Sequence, residues 1–154
     1  MPRRTMPRRT VVALGPRSFL KTFSLLISLP TKRVSLTSVV DENIPVTNKE
    51  NRNTFAVIIA NENYQSVASV PYALNDGNIF REYCLKTLGI PERQIKYVPN
   101  ATGNQIKAQV NWLQNICEVF EDAHVIFYYA GHGIPDESSR TAYLLPVDGI
   151  GTDV

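Results

Sequence analysis

A single histidine stands between two glycines, Gly131-His132-Gly133, directly after an apolar run at residues 125–130. Glycines on both sides let the backbone turn sharply and let another segment approach closely. Because histidine ionises near neutral pH, an imidazole at such a turn is able to take a proton from a nucleophile and return it. His132 is therefore the candidate catalytic residue, and a surface turn histidine without a special role is the alternative.

The other reactive side chains have structural interpretations. Cys84 and Cys117 fall on the apolar stripes of two predicted helices, where cysteine behaves as a small buried hydrophobic residue. A nucleophilic thiol needs an exposed, electropositive place, so we predict that neither cysteine is catalytic. Asn75 and Asp76 stand where a helix needs an N-cap and are interpreted as that cap. His124 begins the strand at its other end, away from the glycine turn.

The sequence predicts no metal and no cofactor. Two cysteines and two histidines give no zinc-ligand spacing, and the glycines form no phosphate-binding loop. Residues 41–154 carry a formal charge of −6, which argues against a nucleic-acid partner because phosphate contacts require a clustered cationic face. There is no run of about 18 apolar residues, so no membrane span is predicted.

Strands and helices alternate around the candidate histidine. Apolar or alternating runs predict strands and apolar stripes predict helices, with strands at residues 55–60, 94–98 and 125–130 and helices at about 76–88 and 103–120. This order predicts an α/β fold with a parallel sheet between two helical layers, the run 125–130 being its central strand and 94–98 lying nearer an edge. Functional groups in such sheets gather beyond the carboxyl ends of the strands, and His132 lies at one of them.

Two local signals define the second helix and the end of the domain. Thr102 and Gln105 match the capping box at a helix start, and the stripe Ile106, Val110, Leu113, Cys117 and Phe120 is predicted to face the core. A short extended piece is expected at residues 143–147.

Residues 1–52 differ in composition from the rest and are predicted to be a disordered basic leader and polar linker before a domain at 53–154. The leader contains a direct repeat of Met-Pro-Arg-Arg-Thr, and residues 1–40 carry eight basic and no acidic side chains. A misassigned start, an export signal around residues 23–29 and an organelle presequence are alternatives. A cytoplasmic location is favoured.

Taken together, four blocks resemble the caspase-like cysteine peptidases, the group of caspases, metacaspases and bacterial caspase-family proteins, with the bacterial proteins most similar. The blocks are FAVIIANENY at 55–64, ALND at 73–76, FYYAGHG at 127–133 and YLLPVDG at 143–149. The resemblance implies a caspase-like three-layer fold and endopeptidase activity on protein or peptide substrates through a Cys–His dyad. It also implies that His132 is the general base and that the Gly133 N–H is an oxyanion-hole donor.

The chain departs from the family pattern at the nucleophile. In caspases the cysteine follows the next core strand, roughly 50 residues after the histidine, whereas 22 residues follow His132 and none is cysteine. We therefore expect an amino-terminal part of the domain, with the fold incomplete at its C-terminal side, that is inactive alone. The alternatives are a pseudo-peptidase or interaction module with a partner covering its open sheet edge, and an unrelated flavodoxin-like or receiver-like domain.

Overall fold

The computed structural model describes residues 11–12, 43–136 and 140–150, except for the side chains of 11, 12 and 136. The strands are β1 Val11–Val12, β2 Thr54–Ala60, β3 Ile95–Pro99, β4 His124–Ala130, β5 Gly133–Asp136 and β6 Thr141–Leu144. The helices are α1 Ala73–Lys86 and α2 Gly103–Val119, and a 3-10 turn, Glu92–Gln94, precedes β3. The leader repeat and the signals proposed for residues 13–42 lie outside the described residues.

A parallel sheet forms the middle layer, in the order β1-β4-β2-β3, which confirms the predicted α/β class and the edge position of the 94–98 strand. The strand predicted at 125–130 is β4, one of the two inner strands of this sheet, and β2 is the other and the more enclosed one. β2 is paired along its length on both sides, by β3 and β4, and all seven of its residues are buried. In the second half of β4, buried and half-buried residues alternate because successive side chains point to opposite faces of the sheet.

The two faces of β2 build two separate core clusters, since successive side chains of a strand point to opposite sides. Ala56 and Ile58 pack with Cys84 of α1, while Val57 and Ile59 pack with Trp112 and other residues of α2. The sheet is therefore covered by one helix on each face, as the three-layer prediction required.

The inward face of α2 matches the predicted stripe in part, because Ile106 and Leu113 pack against the core cluster of Val57 and Ile59. Val110 and Phe120 are exposed, and no residue of α2 is fully buried. Trp112, which the stripe did not include, packs edge-on against Phe55 of β2 with ring centroids 6.1 Å apart. Trp112 thus shares the inward face of α2 with Ile106 and Leu113.

The helices begin by different means. The Thr102 hydroxyl accepts the Gln105 N–H, and the Gln105 side chain accepts the Thr102 N–H, so the capping box is confirmed. The predicted cap of the first helix was wrong, because α1 begins at Ala73 and its preceding residue makes no side-chain cap. Glu62, from the loop after β2, instead accepts the Leu74 N–H at 3.3 Å.

Part of the predicted polar linker is bound to the domain. The Thr47 N–H donates to the Lys86 carbonyl and the Asn51 N–H donates to the Gly89 carbonyl, both at 2.8 Å. The Thr87 hydroxyl donates to the Pro45 carbonyl at 2.6 Å. These bonds fasten residues 45–51 along the end of α1, where helical carbonyls lack partners within the helix.

Gly77 gives a test of how closely α1 lies on β2. A Cβ at Gly77 would lie 2.6 Å from the Ala60 Cβ, which cannot move without the strand. Gly→Ala in a helix usually stabilises by about 1 kcal/mol, but here we expect Gly77→Ala to lower the free energy of unfolding by about 1–3 kcal/mol through overpacking. Urea denaturation followed by circular dichroism measures the change.

The matched control is Gly103→Ala at the start of α2, where the nearest atom to the new Cβ is 3.6 Å away. That change should stay within about 0.5 kcal/mol of the parent or stabilise it. Equal effects of the two substitutions would contradict the close packing of α1.

Candidate functional site

The candidate site lies at the carboxyl edge of the parallel sheet. Asn61 and Tyr64 follow β2, Ala101 follows β3, and His132 follows β4. Leu145, which follows β6, joins them because its N–H donates to the His132 carbonyl at 3.0 Å. The parallel topology brings the ends of three strands together here, as the sequence predicted for His132.

Asn61 is fully buried and connects these loops. Its side-chain oxygen accepts the Ala101 N–H at 2.7 Å. Its amide nitrogen donates to the carbonyls of Leu145 and Ala101 at 3.2 and 3.4 Å. One side chain therefore provides hydrogen-bond partners for buried backbone groups of two other loops, which are out of reach of water.

The His132 imidazole lies over the loop that follows β2. Its Nε2 atom is 2.7 Å from the Ala68 carbonyl oxygen, and its ring centroid is 4.9 Å from that of Tyr64. A carbonyl oxygen only accepts hydrogen bonds, so Nε2 carries the hydrogen in this contact. The lone pair of the neutral ring is then on Nδ1, and Nδ1 is the atom that is able to accept a proton.

The backbone of His132 is held on both sides. Its N–H donates to the Tyr64 hydroxyl at 2.7 Å, and its carbonyl accepts the Tyr129 hydroxyl at 2.8 Å. The preceding Gly131 permits this approach, because a Cβ there would lie 2.5 and 2.7 Å from the Tyr64 and Tyr129 hydroxyl oxygens. Gly133 is under no such restriction, since a Cβ there would lie 3.7 Å from the nearest atom, the Tyr143 carbonyl oxygen.

Comparison with known proteins assigns the family. A family model described as the caspase domain matches residues 53–153, about two thirds of the chain. The chain belongs to the caspase domain family. Neither the comparison with curated proteins nor that with solved structures gave a match. The family implies peptide substrates, and it agrees with the fold that the sequence resemblance implied.

The structure does not bring either cysteine of this caspase domain to His132. Cys84 is fully buried in the core, where burial raises the pKa of its thiol to about 12. Cys117 is half-buried in the last turn of α2. Both helices start at the carboxyl edge of the sheet, and at 1.5 Å per residue these cysteines lie about 16 and 21 Å along them, towards the other edge.

The remaining predicted groups lie elsewhere in the domain. Asp76 is in the first turn of α1 and lines an open depression with four apolar or aromatic side chains, Ile79, Phe80, Tyr83 and Tyr128. His124 is at the amino end of β4. Within the described residues there is no cluster of three metal-ligating side chains and no helix long and apolar enough to cross a membrane.

Three important residues of the site were missed from the sequence: Asn61, Tyr64 and Tyr129. Asn61 had a usable signal, because it is the first polar residue after the fully apolar run of β2 and so falls at the edge where ligands gather. The tyrosines had none, since each looks like an ordinary loop or core aromatic residue until the two strand ends are placed side by side.

Asn61 should be essential for the stability of the caspase domain. We expect Asn61→Ala to lower the free energy of unfolding by at least about 2 kcal/mol, because the buried Ala101 N–H loses its acceptor. Asn61→Asp keeps that acceptor but points a carboxylate oxygen at two carbonyls, so it should also destabilise. The exposed Asn63→Ala is the control, and thermal unfolding that ranks it equal to Asn61→Ala would contradict the role of Asn61.

Proposed function

We propose that this domain works as a cysteine-type endopeptidase in which His132 is the general base and the Gly133 N–H is an oxyanion-hole donor. The observation that carries the proposal is the 2.7 Å contact between His132 Nε2 and the Ala68 carbonyl, because it directs the basic Nδ1 atom away from the loop. Within the family, the block Tyr-Ala-Gly-His-Gly at 129–133 supports a place among the bacterial proteins and metacaspases.

The chemistry needs Nδ1 of His132 to take up and return a proton in each of two stages, acylation and hydrolysis. Nδ1 of His132 takes the proton of a cysteine thiol, and the thiolate attacks the peptide carbonyl. The Gly133 N–H donates to the oxygen on which negative charge develops, and His132 returns its proton to the leaving amine. A water molecule then attacks the thioester while His132 takes its proton, the C–S bond breaks to release the acid, and His132 returns the proton to the cysteine thiolate.

The nucleophile in this proposal comes from a segment outside the 154 residues, since Cys84 and Cys117 are the only cysteines in the sequence. Among the described strands, the outer edge of β4 is paired only at Val125 and Ile126, by β1. A parallel strand on the rest of that edge would end beside His132, one strand spacing of about 4.8 Å away. A cysteine directly after such a strand would lie within reach of the imidazole.

A catalytically inactive interaction module is the second candidate function. It is favoured by the same incompletely paired edge of β4, together with the exposed Val119 and Phe120 at the end of α2, which are 72% and 50% accessible. A partner strand added to β4 would cover the N–H and C=O groups that the described strands leave unpaired. This candidate predicts a stable complex without peptide cleavage.

The 154-residue chain alone should not react with a peptide probe that carries a thiol-reactive group. Cys84 is held as the neutral thiol because its pKa is raised to about 12 by burial, and a neutral thiol is a poor nucleophile. Intact mass spectrometry of the native chain is expected to show no adduct, while the urea-unfolded chain labels at both cysteines. Stoichiometric native labelling at Cys84 or Cys117 would overturn their exclusion.

The catalytic assignment is tested with the product of the natural gene. The same probe should label a cysteine other than Cys84 and Cys117, and His132→Ala should lower kcat for peptide cleavage by at least about 100-fold, the usual contribution of a general base. His124→Ala, at the far edge of the sheet, should keep parent activity. A gene product whose only cysteines are Cys84 and Cys117 would exclude the proposed mechanism and favour the interaction module.

A further inference from the structure

We propose that Tyr64 is a positioning residue for His132, acting with Tyr129 through a closed ring of hydrogen bonds that holds the N–H and the C=O of the histidine. The inference rests on the proposed function only in giving His132 a catalytic role. The contacts that carry it belong to described residues on three loops: Tyr64 after β2, Tyr129 and His132 around the end of β4, and Leu145 after β6.

The donors and acceptors in this ring have a single consistent assignment. The Tyr129 hydroxyl oxygen lies 2.8 and 2.7 Å from the carbonyls of His132 and Leu145, and carbonyls only accept. Its one proton is therefore shared between these two carbonyls. The Tyr129 oxygen must then accept from Tyr64, 3.1 Å away, and the Tyr64 oxygen is left to accept the His132 N–H at 2.7 Å.

The ring fixes the direction of the imidazole. With its N–H and C=O both held, the His132 backbone cannot rotate freely, so its Cβ points in one direction. The Tyr64 ring then packs beside the imidazole, and Nε2 meets the Ala68 carbonyl in the same loop as Tyr64. Tyr64 thus contacts His132 twice: its hydroxyl accepts the His132 backbone N–H, and its ring packs against the imidazole.

Two further observations agree with this hydrogen-bonded ring. Burial and the neighbouring Tyr64 raise the pKa of Tyr129, so its hydroxyl keeps the proton that it donates. Gly131 leaves the two hydroxyls room to meet, where a Cβ would contact both oxygens. Phenylalanine would fill the same volume at either position but would leave the His132 N–H or the Tyr129 contact to the His132 carbonyl unmade.

The test is ¹⁵N NMR of the histidine side chains in the native chain, which has only two histidines, so His124 serves as an internal reference. In the parent protein His132 should show the Nε2–H tautomer alone. Tyr64→Phe keeps the ring but removes the hydroxyl, so it should produce a mixture of tautomers at His132 and leave His124 unchanged. The His132 amide should also exchange its hydrogen at least about tenfold faster, because it loses its acceptor.

Tyr97→Phe is the matched control. Its half-buried hydroxyl also donates to a backbone carbonyl, that of Leu74 at 3.1 Å, but it lies on the other helical face of the sheet. A purely structural effect would disturb His132 equally in both variants, and that result would overturn the proposal. So would an unchanged tautomer in Tyr64→Phe.

Tyr129→Phe opens the same ring from its other member and should give the same tautomer mixture, which keeps the test decisive if Tyr64→Phe fails to fold. These readouts need no proteolysis. A positive NMR result with an inactive gene product would refute the proposed function alone, and an active gene product with an unchanged Tyr64→Phe spectrum would refute the positioning role alone.

Discussion

The in-register parallel pairing of β2 with β4 is the constraint on which the rest of the domain depends. Seven residue pairs, from Thr54 and His124 to Ala60 and Ala130, bring both strands to an end at the same level. The Asn61 N–H then donates to the Ala130 carbonyl at 2.7 Å, which extends the ladder by one step into the loops. A shift of one residue would send every side chain of one strand to the other face and separate the groups around His132.

The pairing of β2 with β4 also fixes the positions of the polar side chains at the carboxyl edge of the sheet. Buried backbone groups of three loops need partners, and a few side chains provide them because the strand ends hold those side chains at fixed positions. Asn61 joins the ends of β2, β3 and β6, while the tyrosine hydroxyls join β2 to β4. In the described residues, no buried side-chain polar atom is left without a hydrogen-bond partner.

The sequence predicted most of what depends on local pattern. Apolar runs located the strands, the Thr102–Gln105 box located the start of α2, and the glycine-flanked histidine was correctly placed just after the end of a strand. Its predictions failed where contacts between residues distant in the chain decide the structure. Glu62 contacts the start of α1 in place of the expected local cap, and Trp112, absent from the predicted stripe, packs against Phe55. The hydrogen bond between the two tyrosines at His132 was not predicted for the same reason, since Tyr64 and Tyr129 are 65 residues apart in the chain.

The hydrogen bonds between residues 45–51 and the end of α1 fix this segment at the edge of the sheet opposite to His132. This segment runs along the amino edge of the sheet, and seven residues of strand at about 3.3 Å each place that edge roughly 20 Å from the edge that carries His132. The polypeptide that leads into β2 is thus anchored at the opposite edge of the sheet from His132, and residues 45–51 leave the surroundings of His132 uncovered.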